Sequence, residues 1–169
     1  YKKIVISFAD HHIMLNDIIE FVTQVDMLYC KKTIANMNYA KPTIEDYKNT
    51  KHSYIKIKDI RHPLIEVINQ RELYVPNDID LGLDAYGVCL FGTNAVGKSS
   101  FIKSIGISII LAQSGFYVPC SSMIYYPYEY IFTRIIGNDD LFKGLSTFEV
   151  EMSELNVILN RANENSLIL

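Results

Sequence analysis

Eight residues constrain this chain more than any other stretch: Gly92-Thr93-Asn94-Ala95-Val96-Gly97-Lys98-Ser99. They match G-x-x-x-x-G-K-[ST], the spacing of a phosphate-binding loop, and each part of that spacing has a physical reason. Gly92 and Gly97 carry no Cβ, so the backbone can bend tightly and aim its N–H groups at an anion. Lys98 can reach the β- and γ-phosphates of a nucleotide, and Ser99 can ligate Mg²⁺. A helix that opens here adds the positive end of its dipole.

Such a loop needs a strand before it and a helix after it, and the flanking sequence suits both. Residues 88–91 (VCLF) form a short apolar run, which predicts a buried strand. After the loop, Ile102, Ile105, Ile109 and Ala112 recur at helical spacing, and Gly115 stands where a helix C-cap belongs. The competing reading is a Gly-rich turn that binds nothing. The flanking pattern argues against it.

Bulk composition sets outer bounds. With 169 residues, 49% hydrophobic and 21% charged, the chain suits one globular domain, or one domain plus part of another. No apolar run reaches the roughly 18 residues of a membrane span. Tyr1-Lys2-Lys3 leads into too short an apolar stretch for a signal peptide. The first residue is not Met, which reads as a fragment or a processed chain. Cys30, Cys89 and Cys120 lie far apart, lack metal-ligand spacing and are odd in number, so they read as reduced thiols of an intracellular protein. The four histidines form no H-x-x-x-H pattern.

Charge is uneven. Residues 1–61 carry ten Lys/Arg against seven Asp/Glu, a balance of +3, and residues 62–169 carry six against twelve, a balance of −6. An acidic half is a poor surface for DNA phosphates. Any DNA contact of the parent protein is expected elsewhere.

Residues 10–38 read as a long helix, with Ile13, Ile18, Val22, Val25 and Tyr29 at three- and four-residue steps. Residues 41–58 are polar and Lys-rich and read as a connector. Tyr54-Ile55-Lys56-Ile57-Lys58 alternates like a half-exposed strand. Residues 129–136 suit a strand, 138–140 a turn, and Ser146-Thr147 can cap a helix of about 15 residues reaching Asn163. Residues 166–169 begin another apolar strand. Strands alternating with helices indicate an α/β fold with a central sheet.

Several blocks, in order, carry a family likeness. RHPLIE (61–66), YVPND (74–78), GTNAVGKSS (92–100), LAQSGFYVP (111–119), IFTRI (131–135) and DDLFKGLSTFEVEMSEL (139–155) resemble the MutS family of DNA mismatch-recognition ATPases. The variant loop GTNAVGKSS and the YYPY stretch (125–128) resemble a branch found in large DNA viruses and coral mitochondria. The likeness divides the chain into 1–58, the helical end of the family's lever region plus a connector, and 59–169, the first part of an ABC-type ATPase domain.

The resemblance implies ATP and Mg²⁺ as ligands and a second MutS-type subunit as partner. It also implies DNA contacts through domains outside this chain, and no membrane. The phosphate site would comprise Gly92, Thr93, Asn94, Ala95, Val96, Gly97, Lys98, Ser99 and Ser100, with Asn94 toward the γ-phosphate and Ser99 on Mg²⁺. Thr93 stands where the family usually has Pro, and Ala95-Val96 where it has Met-Gly. The framing glycines, Lys98 and Ser99 remain. Tyr74 and Val75 would contact adenine, although Tyr74 also suits an ordinary core position. Gly144, Ser146 and Thr147 would form the signature segment that meets ATP bound to the other subunit. A plain helix N-cap is the local alternative.

Glu149, Glu151 and Glu154 read as solvated or interface positions of a helix rather than catalytic acids, and His62, Gln113 and Arg134 receive no chemistry. The family's Asp-Glu pair falls just beyond Leu169, so this chain alone is expected to hydrolyse ATP poorly or not at all. Other ABC-type ATPases carry a Leu-Ser-Gly-Gly-Gln-like signature, which is absent. A module using ATP only as a conformational or dimerisation ligand, or a recombination member of the same family, remains the alternative at this level.

Overall fold

The period-two pattern at residues 54–58 becomes the middle of a sheet. The computed structural model describes residues 8, 11–45, 52–68, 74–134 and 147–169. Within them run α1 (His12–Ala35), β1 (Thr43–Ile44), β2 (Tyr54–Ile60), α2 (Pro63–Ile68), β3 (Asn77–Leu81), α3 (Lys98–Gln113), β4 (Ser122–Tyr126), β5 (Tyr130–Phe132), α4 (Thr147–Arg161) and β6 (Ser166–Ile168). The chain divides into two compact units between Asn38 and Tyr39. Residues 39–45 belong to the later unit, through the Ala40–Val118 bridge and β1.

In the first unit, α1 forms where the periodicity places it, and none of its residues is buried. The apolar residues cover more than one face. Ile13 and Ile19 lie on either flank of the stripe formed by Met14, Ile18, Phe21, Val22 and Val25, and all are exposed. A helix apolar on several sides cannot bury them all against a single neighbour.

The second unit is a mixed α/β structure. A four-stranded sheet runs β1-β4-β2-β3, with β1 parallel to β4 and β2 antiparallel to both β3 and β4. On β2, Tyr54, Ile55, Ile57 and Ile60 are buried while Lys56 and Lys58 face out, so the strand is central in the ladder yet wet on one face. Lys56 lies opposite Asp80 and pairs with it at 3.2 Å. A separate parallel pair, β5 and β6, aligns Tyr130 with Ser166 and Phe132 with Ile168.

The core joins these parts. Ile55, Ile57, Ile60, Ile79, Met123 and Tyr125 from the sheet meet Ile105, Ile109 and Ala112 from α3 and Leu167 from β6. Each fully buried Ile contributes roughly 1.5–3 kcal/mol relative to exposure. The helix ends as Gly115 suggested. Gly115 N–H donates to Ala112 O and Phe116 N–H to Leu111 O, the paired bonds of a Schellman cap, with Gly115 at φ +76.

Three strands, β1, β3 and β4, were not anticipated. The alternation of buried Met123 and Tyr125 is the signal that marks β4. One expected strand is absent. Residues 88–91 form no strand, and Val88, Cys89, Leu90 and Phe91 are exposed, Phe91 at 93%. An apolar run becomes a strand only where a neighbouring backbone supplies hydrogen bonds. Among the described residues, no ladder reaches this one. The expected turn at 138–140 lies outside the described residues.

Two predictions follow from this packing. Cys89 is exposed, whereas Cys120 is buried and its thiol is pushed up to about 11, first by burial. At pH 8 roughly one Cys120 in a thousand would be thiolate. Iodoacetamide should therefore modify Cys89 well before Cys120 in the folded protein, as read by peptide mass spectrometry. Second, Gly82 sits at φ +98, and a Cβ there would fall 2.7 Å from Ser53 O and 2.8 Å from Tyr54 Cβ. Gly82→Ala should cost roughly 2–4 kcal/mol, measured as a lower urea midpoint at unchanged slope.

Candidate phosphate-binding loop

The loop owes its shape to three unusual backbone positions. Gly92 has φ +154, Ala95 φ +64 and Gly97 φ +95. A left-handed Ala costs about 1 kcal/mol or more, so Ala95 marks stored strain that sequence reading did not flag. Gly97 is the N-cap of α3 in the left-handed region, and a Cβ built there would meet nothing within 4 Å. Glycine is needed at this position for its conformation, and the space above it is open.

The start of α3 is uncapped. Gly97 offers no side-chain hydrogen bond to it, and no acidic residue lies in the first turn. The first helical N–H groups have no acceptor within the helix. The first helical bond from the cap runs from Phe101 N–H to Gly97 O at 2.9 Å. An uncapped, positive helix end beside open space is an arrangement that an anion completes.

Lys98 lies across this bend. Its Nζ donates to Gly92 O at 2.8 Å and to Thr93 O at 2.5 Å. The ammonium thereby spans the loop from its far end to its beginning. These bonds are exposed, so water or an anion can compete for the same donors.

The other anticipated site residues are placed as follows. Thr93, Asn94, Val96 and Ser99 are exposed around the bend, and Ser100 is partly buried at the first turn of α3. Tyr74 is half-buried, with Ser104 of α3 among the groups that act on its hydroxyl. Burial raises its phenol above the usual range, with Ser104 acting the other way. Ser104 lies six residues beyond Lys98, about 9 Å along the helix axis. Val75, next to Tyr74, is exposed. Gly144 and Ser146 lie outside the described residues, and Thr147 opens α4.

Nearby residues settle into local structural duties. His62 precedes Pro63, the first residue of α2, and its Nδ1 accepts from Ile65 N–H at 3.4 Å. Burial is the main cause that lowers its pKa, with Lys103 acting the same way. Arg61 pairs with Glu66 at 2.6 Å and lies 5.9 Å from the Tyr39 ring. The Gln113 side chain donates to Tyr128 O at 3.0 Å and accepts from Tyr128 N–H at 2.8 Å, tying the end of α3 to the chain before β5. A cavity of about 640 Å³ is walled by residues including Val88, Leu90, Ile102, Ile105, Leu167 and Leu169. It lies beside the run that precedes the loop, and residues 92–99 are not among its walls. No metal-binding cluster of His, Cys, Asp or Glu occurs among the described residues.

Comparison with known proteins bears on this geometry directly. Residues 88–169, from the apolar run through the loop, α3 and α4 to β6, match MutS domain V. The chain belongs to the MutS family. A mutS homolog of Acanthamoeba polyphaga mimivirus is 37% identical across 99% of this chain and 18% of its own length. The mitochondrial DNA mismatch repair protein mutS homolog of Sarcophyton glaucum is 46% identical over 63% of the chain and 11% of its own length. The DNA mismatch repair protein MutS of Petrotoga mobilis is 42% identical over 62% of the chain and 14% of its own length. A viral and a coral mitochondrial relative thus stand among the matches, as the variant loop suggested. The chain spans less than a fifth of each of these MutS relatives. Among the described residues, no helix is long and apolar enough to cross a membrane.

Proposed function

We propose that this MutS chain binds Mg²⁺·ATP in the loop Gly92–Ser100, as the nucleotide-binding part of a DNA mismatch repair ATPase. The observation that carries this reading is the uncapped start of α3 behind a left-handed Gly97, with Lys98 folded onto the loop's own carbonyls. Triphosphate oxygens would take the N–H groups of Asn94, Ala95, Val96, Gly97, Lys98 and Ser99. Lys98 would exchange its bonds to Gly92 O and Thr93 O for charge-assisted bonds to β- and γ-oxygens, which are stronger. Ser99 would hold Mg²⁺, which neutralises the phosphates when bound. Asn94 would lie toward the γ-phosphate, and Thr93 and Ser100 would flank the cradle.

Tyr74 and Val75 would receive the adenine, the Tyr74 ring offering a face for stacking. Ser104, which acts on the Tyr74 hydroxyl, belongs to the same helix that begins at the loop. Gly144, Ser146 and Thr147, at the entry to α4, would meet ATP held by a second MutS-type subunit. The mismatch-repair role rests on what the relatives are named. DNA would be met through other parts of the longer protein, consistent with the acidic balance of residues 62–169.

Calorimetric titration with Mg²⁺·ATPγS tests the reading. Lys98→Ala should weaken binding at least about 30-fold, because charge-assisted bonds to two phosphates are lost. Its exposed carbonyl bonds contribute little to folding, so the thermal midpoint should stay nearly unchanged. Full affinity in Lys98→Ala would overturn the assignment.

A further inference from the structure

We propose that Arg134 is a positioning residue that clamps the first half of α4 to the end of the β5–β6 ladder. Its backbone is fixed first. Leu169 N–H donates to Phe132 O at 2.8 Å, and Arg134 N–H donates to Leu169 O at 2.7 Å. The parallel pairing of β5 and β6 therefore continues one step past both strands and finishes at Arg134.

From that anchor the guanidinium reaches α4. Nη2 lies 2.7 Å from Glu151 Oε2, and Nε lies 3.8 Å from Glu154 Oε2. Glu151 and Glu154 are three residues apart, neighbours on one face of the helix. The first contact is an ion pair at the distance of a charge-assisted hydrogen bond. The second is an ion pair too long to be a hydrogen bond, and Nε is buried without a hydrogen-bond partner. A lone surface ion pair would contribute little. A planar fork placed between two carboxylates of one helix would fix orientation as well as distance once both contacts are hydrogen bonds. The idle Nε means the clamp is only half closed. A shift of α4 by about 1 Å toward Arg134 would bring Glu154 into hydrogen-bond range.

Val150 and Leu155 are half-buried along this helix, and Glu149 in its first turn has a partner of its own. Ile158, in the second half, is the buried side chain of α4 among the described residues, while Phe148 and Met152 are exposed. The turn after α4 is tied separately, by Asn163 to Glu129 at 2.8 Å and by Ser166 to Asn163. Arg134 thus ties the N-terminal half of α4 to the end of the β5–β6 ladder. That end begins at Thr147, the last of the candidate signature residues, so Arg134 would help set how it faces a second subunit. This consequence rests on the function proposed above, while the clamp itself does not.

The test uses the 169-residue chain and two readouts, amide hydrogen exchange and Mg²⁺·ATPγS affinity. Arg134→Gln should speed exchange at residues 151–155 at least about tenfold, as loss of a charge-assisted hydrogen bond on this helix implies. Amides of β2 and β4 should be unchanged, and ATPγS affinity should stay within about twofold, since Arg134 does not touch the loop. Arg134→Lys keeps the charge without the fork and should restore only part of the protection. The exchanged pair Arg134→Glu with Glu151→Arg should restore most of it. Unchanged exchange in Arg134→Gln, or no rescue by the exchanged pair, overturns the clamp. Loss of protection throughout the chain in Arg134→Gln also overturns it, as that is a general folding role. If the unsubstituted chain fails to bind ATPγS, the phosphate-loop reading falls while the exchange data still decide the clamp.

Discussion

The bend that starts α3 is the constraint on which the rest depends. A helix of 16 residues begins at Lys98 without a side-chain cap, behind a glycine in the left-handed region and an alanine forced into it. Each of these features costs stability locally. They persist because the remainder of α3 is over-determined. Ile105, Ile109 and Ala112 are buried against the sheet, and the Schellman cap and Gln113 fix the far end. Strain concentrated at one end of a well-anchored helix is the usual mark of a binding site.

The same helix organises the second unit. One face meets the four-stranded sheet through Ile55, Ile57 and Met123, and Leu167 of β6 joins that core. Because β6 pairs with β5, and β5 leads to Arg134, packing against α3 extends to the helix that follows the candidate signature segment. The candidate phosphate loop, the base-contact candidate Tyr74 and Arg134 are thus all referred to one element. Any shift of α3 on nucleotide binding would be felt at each of them.

Much of this was legible in the sequence, for identifiable reasons. Phosphate chemistry demands particular residues at fixed local offsets, so Gly92, Gly97, Lys98 and Ser99 could be read without knowing the fold. The stripe from Ile105 to Ala112 and the stop at Gly115 are likewise local. The α/β character followed from alternating periods. What failed was non-local. Residues 88–91 have the composition of a buried strand, yet strand formation depends on a partner backbone that composition does not encode. β1 is two residues long and owes its existence to β4, so no pattern within Thr43-Ile44 could announce it. The left-handed Ala95 escaped because alanine carries no sign of unusual φ. Arg134 drew no assignment because its partners, Glu151 and Glu154, lie 17 and 20 positions away and become neighbours only through β6.

The central claim is that the backbone amides from Asn94 to Ser99 form an anion cradle for a triphosphate. Backbone ¹H–¹⁵N shifts of the ¹⁵N-labelled chain, followed during titration with Mg²⁺·ATP and separately with adenosine, test it most directly. The largest changes should fall on Gly97, Lys98 and Ser99 with Mg²⁺·ATP, and those amides should barely respond to adenosine. Amides 94–99 that stay in place while Mg²⁺·ATP perturbs other parts of the chain, or nothing, would contradict it.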